Sequence, residues 1–173
     1  MPAMQDHAPT TSSTAFSAQD FRAALGRFAT GVTIVTARAP DGAPVGLTVS
    51  SFNSVSLAPP LVLWSLALRA GSMAVFRDAS HYAIHVLGAE QRGLAERFAV
   101  KDIDRFAGQP DRRGLGDVPL LDGCAAIFEC RNRSRHEEGD HVIFVGEVLH
   151  CSARTDAAPL IFHGGRFYTE LPL

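Results

Sequence analysis

"GLTVSSFNSVSLAPPLVLWSLAL", Gly46 to Leu68, sets five serines and a threonine among apolar residues, then passes through Pro59-Pro60 into an almost uninterrupted apolar run. The alternation in "GLTVSSF" has the period of a strand, with every second side chain on one face. "LVLWSLAL", after the prolines, reads as a second strand buried on both faces. Just upstream, "GVTIVTA" is rich in β-branched residues and Pro40 to Pro44 carries turn chemistry, so a hairpin leads into the serine-rich strand. The density of hydroxyls leaves two readings of that strand open: an ordinary solvated face, or a groove for a phosphorylated or ring-shaped ligand.

Outward from this stretch the same grammar continues. Residues Met1 to Phe16 are small, polar and proline-punctuated, and read as a disordered tail. Ser17 with Asp20 forms a capping signal for a helix whose face carries Phe21, Leu25 and Phe28 and which is expected to end near Gly31. A short helix is expected around Ser72 to Asp78, then a strand "HYAIHVL", then a helix from about Glu90 to Phe98. "VKDIDRFAGQPDRRGLGDVPLL" lacks periodicity and reads as a long polar connection, a candidate functional loop. Two long strand-like runs, "CAAIFECRNRS" and "HVIFVGEVLHCSA", flank "RHEEGD", and "LIFHGGRFY" closes the chain as a short strand pair. The expected architecture is one domain over residues 17–173, mainly β with flanking helices, forming an antiparallel barrel.

Composition narrows the function classes. The chain has 173 residues, 46% of them hydrophobic, and a formal charge of -2, enough apolar material for one core and no basic stripe for nucleic acid. Lys101 is its only lysine and lies in the polar loop, which argues against Schiff-base chemistry. Cys124, Cys130 and Cys151 form no paired motif and read as core residues of a protein in a reducing, cytoplasmic setting. No apolar run approaches the ~20 residues that span a bilayer, so no membrane partner is expected.

Motifs of specific chemistry are mostly missing. No Rossmann fingerprint, Walker A loop or nucleophile elbow occurs. His81 and His85 would stand about 13 Å apart along one strand face, too far to share a metal, and the acidic-histidine cluster around His136 completes no ligand set. "EEGDH" is the most informative short motif: Gly139 permits a tight turn, Asp140 can fix it, and His141 is presented at a strand start, where an imidazole can donate a hydrogen bond or a proton. Thr48, Ser50 and Ser51, with Arg69 and Ser72 at a helix start, offer hydroxyls and a phosphate cradle.

Taken in order from Phe21 to Tyr168, "FRAALGRFATGVTIVTA", "GLTVSSFNSVSLAPPLVLWSL", "HYAIHVLGAEQRGLAERFA", "DRFAG", "EEGDHVIFVGEV" and "PLIFHGGRFY" resemble the short-chain flavin reductases of two-component flavin monooxygenases. The resemblance implies an FMN-binding split barrel, a homodimer, and reduction of FMN or FAD by NADH or NADPH, with reduced flavin passed to a partner flavin-dependent monooxygenase. It places Val45, Gly46, Leu47, Thr48, Ser50 and Ser51 against the flavin, with Ser65, Leu66 and Ala67 at its ring or ribityl edge. Arg69 and Ser72 would hold its phosphate, and Arg97 and Phe98 would approach from the second helix. His141 would stand beside the nicotinamide as the catalytic residue, with Arg166 and Tyr168 on the same side. Two positions depart from the family pattern: Ala58 where an acid is usual, and His85 where an asparagine is usual. Two alternatives stay open: a flavin-binding module without reductase turnover, and a reductase of a non-flavin acceptor such as a corrinoid.

Overall fold

A computed structural model describes residues 15–171 of the chain. The tail expected over residues 1–16 lies, apart from its last two residues, outside this range. The first helix, α1 (Ala18–Leu25), begins where Ser17 Oγ accepts from Asp20 N and the Asp20 carboxylate accepts from Ser17 N. It ends at Gly26, well short of Gly31, because Thr30–Gly31 is claimed by a sheet and forms β1 instead.

The strands β2 (Thr33–Arg38), β3 (Pro44–Val49), β4 (Asn53–Leu57) and β5 (Pro60–Ala67) follow as two hairpins. Next come α2 (Met73–Asp78), β6 (His81–Val86), a short 3-10 turn and α3 (Arg92–Ala99). The long connection is not wholly irregular: it contains the two-residue strands β7 (Arg112–Arg113) and β8 (Pro119–Leu120) around a 3-10 turn. Long strands β9 (Ala126–Glu138) and β10 (His141–Ala153) and a hairpin of β11 (Ile161–His163) and β12 (Arg166–Tyr168) complete the chain. Both long strands run up to a turn of only Gly139 and Asp140, so "RHEE" belongs to the ladder and not to a loop. Gly139 holds φ +60, a conformation that glycine adopts without steric cost.

Seven strands form one antiparallel sheet in the order β3-β2-β6-β9-β10-β5-β4, and β1-β11-β12 form a small second sheet. No ladder joins the two edges of the large sheet, but Ser51 Oγ, just past β3, accepts from Ser65 N on β5 at 2.9 Å. The sheet therefore curls, and its two faces pack separate cores. Inside the curl, Trp64 stacks on Phe144 at 4.7 Å and meets the edge of Phe76 from α2 at 5.0 Å, with Val35, Tyr82 and Ile84 around them. Outside, Val32, Ile34, Ala83 and Leu87 pack under Ala95 and Phe98 of α3 and under Leu120 and Leu121. Strands β2 and β6 are consequently buried on both faces, as their β-branched sequences require.

β5 differs from its sequence reading. Val62, Trp64 and Leu66 are buried, while Leu61, Leu63, Ser65 and Ala67 are only half-buried, because no helix covers the outer face there. Cys151 also departs from its expected core position: it is exposed, on the stretch of β10 beyond Glu147 that has lost β5 as a neighbour and pairs with β9 alone. Cys124 and Cys130 are buried, and burial pushes their thiols up to about 11 and about 12.

Candidate active site

β3 is an edge strand, and its direction decides what it can bind. Leu87 N donates to Val32 O, which orients the even-numbered backbone groups of β2 toward β6 and the odd-numbered ones toward β3. In the β2 and β3 register Val35 faces Leu47 and Ala37 faces Val45, so these residues make the ladder bonds. The backbone groups of Gly46 and Thr48 point the other way, to the free edge. Arg105 confirms the direction, since its Nη1 donates to Gly46 O at 2.7 Å from outside the sheet.

Side chains alternate along the same strand. Val45, Leu47 and Val49 pack into the inner core, while Gly46 and Thr48 face α3. A Cβ on Gly46 would stand 2.8 Å from the Phe98 ring and 3.1 Å from that of Phe106, so only glycine lets α3 and the following loop approach the strand this closely. Thr48 Oγ1 donates to Ala95 O at 2.6 Å, which commits the hydroxyl to fixing the helix.

A cleft of about 650 Å³ runs along this free edge, between Pro44 to Thr48 on one side and Ala70 to Ser72, Phe98 and Lys101 to Phe106 on the others. Its roof is the loop that follows α3. Arg105 holds that loop by donating to Val100 O as well as Gly46 O, Asp104 Oδ1 accepts from Phe106 N, and Arg97 Nη1 donates to Ala107 O. Arg105 and Lys101 are thus cleft residues that the sequence reading did not assign. The "DRFAG" motif was visible, but that its arginine reaches back to Gly46 is a contact across 59 positions. A second, largely apolar cleft of about 370 Å³ continues from the first through Thr48 and Ala99, between Val32, Ser50, Phe162 and Phe167.

The remaining expected residues fall into groups. Ser51 bonds the Ser65 backbone in both directions, so the two serines close the curl. Leu66 and Phe98 are buried core side chains. Ser72 lines the cleft, but α2 has only six residues and Ser72 makes no side-chain cap bond. Arg69 does not line the cleft, and its charge is felt instead by the Asp140 carboxylate. Arg166 and Tyr168 flank Phe167 on β12, beside the second cleft.

His141 opens β10 opposite Ala67, and Leu68 N donates to Asp140 O, so the turn is knitted to the end of β5. The Asp140 carboxylate feels its own backbone amide and also takes the His141 ring, with Nδ1 2.6 Å from Oδ1. A carboxylate can only accept, which puts the proton on Nδ1 and leaves Nε2 available. The same hydrogen bond and the ring's charge hold the Asp140 carboxyl below the usual carboxylate range.

His85 is the opposite case. Its ring is fully buried, Nδ1 donates to Ile34 O at 3.1 Å and Nε2 accepts from Leu121 N at 3.1 Å, and burial lowers its pKa to about 4. It pins the long connection to the sheet and touches neither cleft. Among the described residues no group of acids, histidines and cysteines could hold a metal.

Strand-edge amides that point into a cleft of mixed polar and apolar lining, continued by an apolar slot with two phenyl rings, fit a flat heteroaromatic ring carrying a polar edge and an anionic tail. Known proteins agree with this class. The flavin reductase like domain matches residues 25–170, and the chain belongs to that family. It is 49% identical over 153 residues to the FMN reductase (NADH) SmoA of Agrobacterium fabrum, covering 87% of this chain and 85% of that protein. It is 37% identical over 147 residues to HsaB of Rhodococcus jostii, a flavin-dependent monooxygenase reductase subunit, covering 85% of this chain and 75% of that one. The solved NADH:FAD oxidoreductase SgcE6 of Streptomyces globisporus, in complex with NAD and FAD fragments, superposes with a TM-score of 0.84 at 36% identity, over 89% of this chain and 93% of the other.

Proposed function

We propose that this protein reduces FMN or FAD with NADH or NADPH and supplies the reduced flavin to a separate flavin-dependent monooxygenase. The observation that carries the reading is the free edge of β3, where Gly46 and Thr48 turn their backbone groups toward the cleft. The flavin, when bound, supplies the hydride-accepting ring. Backbone N–H groups on that edge lie where they stabilise negative charge gained by a reduced ring, at no reorganisation cost. His141 lines neither cleft; in this proposal its Nε2, on a ring whose tautomer Asp140 sets, meets a nicotinamide that extends beyond them and orients it or holds a proton beside it. The names of the relatives support the donor and acceptor, and HsaB supports a partner oxygenase.

The working form in this proposal is a split-barrel homodimer in the cytoplasm. α1 buries none of its residues, and an eight-residue helix does not persist in water unaided, so its face of Phe21 and Leu25 fits a second copy. Val55 and Leu57 on β4, beside the half-buried outer row of β5, extend the uncovered apolar surface. Free cysteines suit a reducing compartment, and no helix among the described residues is long and apolar enough to cross a membrane.

Anaerobic mixing of the protein with FMN and either nicotinamide donor is expected to bleach the oxidised flavin absorbance. No acceleration with any pairing of FMN or FAD and NADH or NADPH would refute the reading. Sedimentation equilibrium is expected to give twice the chain mass.

A further inference from the structure

The anionic end of a flavin needs a cation, and the sequence pointed to Arg69 with the start of the helix at Ser72. The structure weakens both: Arg69 lies outside the cleft lining, and α2 is too short to present a strong N-terminal field. Among the cleft-lining side chains the cations are Lys101 and Arg105. Arg105 is occupied, with Nε on Val100 O at 2.8 Å and Nη1 on Gly46 O at 2.7 Å. Arg97 beside the cleft is drawn to Ala107 O at 2.6 Å. Lys101 is exposed at the cleft rim, and none of the hydrogen bonds or ion pairs among the described residues uses its ammonium. Of its acidic neighbours, Asp104 is turned to Phe106 N, and Asp102, at φ +59, shares the turn.

Resting on the flavin reading above, we propose that Lys101, the chain's only lysine, is the phosphate-recognising cation of this cleft. A flexible four-carbon stem on the roofing loop lets the ammonium follow a phosphate, whereas the neighbouring guanidiniums are fixed as structural struts. Ser72 lines the same cleft, and its hydroxyl supplies a neutral donor to the same group. The loop over the β3 edge thereby does two jobs with two cations: Arg105 positions it, and Lys101 reads the ligand.

FMN and riboflavin share the ring and differ in the phosphate, so their dissociation constants isolate this contact. Flavin fluorescence titrations of the wild type, Lys101→Gln, Lys101→Arg and Arg69→Gln are the test. Lys101→Gln is expected to weaken FMN by about tenfold or more and riboflavin by less than about twofold. Lys101→Arg is expected to keep FMN within about threefold of wild type, and Arg69→Gln to leave the FMN-to-riboflavin ratio unchanged. Added salt is expected to weaken FMN but not riboflavin in the wild type, and to do so less in Lys101→Gln. An unchanged ratio in Lys101→Gln, a parallel loss of both flavins, or a ratio that collapses in Arg69→Gln instead would overturn the assignment while leaving the reductase reading standing. A wild type that binds neither flavin would overturn both.

Discussion

At the head of β10 the imidazole of His141 stands half-exposed, with Nδ1 on the Asp140 carboxylate and Nε2 free. In the middle of β6 the imidazole of His85 has no exposed surface, and both nitrogens are committed to backbone groups of other segments. In the proposed function the first ring is a reagent; in the fold the second is a rivet. What separates them is the company of the second nitrogen. A ring with one nitrogen oriented and one free can act on a ligand, whereas a ring with both spent can only hold the fold.

Removing the rivet is expected to have the largest effect. His85→Leu leaves the buried Leu121 N–H without an acceptor and is expected to cost about 2–4 kcal/mol in chemical denaturation. His85→Asn, which keeps a donor and an acceptor on a shorter stem, is expected to cost less; equal losses would show that volume and not hydrogen bonding matters there.

Acid should discriminate between the two rings nearly as strongly. Because burial holds His85 near 4 against an ordinary 6.5, the unfolded chain takes the proton first. The stability contributed by the neutral ring is complete above about pH 6.5 and is lost as the pH falls through 4, about 3 kcal/mol in all. Denaturation midpoints across that range should fall in the wild type and flatten in His85→Asn. A parallel fall in both would move the cause elsewhere.

The reagent side predicts rate effects without stability effects. His141→Ala is expected to slow flavin reduction by about tenfold to a hundredfold, with flavin affinity changed by less than about twofold and an unaltered denaturation midpoint. Unchanged single-turnover kinetics would remove His141 from the chemistry. Asp140→Asn keeps an acceptor for Nδ1 but removes the charge, so a smaller loss of about threefold to tenfold is expected, readable in the same stopped-flow traces. A loss as large as that of His141→Ala would mean that the carboxylate itself acts on the ligand.

Much of this was legible in the residues. The capping pair Ser17 and Asp20, the hairpin through Pro40 to Pro44, the glycine turn before His141 and the short helices all follow from local rules, and the structure has them. What local rules missed were choices made by distant partners. Helix α1 stops early because β11 takes Thr30 and Gly31. The long connection is ordered because Thr36 Oγ1 donates to Pro119 O, His85 accepts from Leu121 N and Glu129 accepts from Leu115 N. Arg97 donates to the carbonyl of Ala107, and Lys101, in the polar loop, lines the cleft; neither contact follows from local sequence.

The sequence by itself determined the succession of the longer strands and helices, the family and the hydroxyl-rich strand, because period, turn chemistry and motif order are properties of neighbours. Only the tertiary structure decided what those hydroxyls do. Thr48 fixes α3, Ser51 and Ser65 close the curl, and what turns to the cleft along the free edge is the backbone of Gly46 and Thr48. The direction of a strand's amides depends on which neighbour completes its ladder, and that neighbour is set by the packing of the whole sheet.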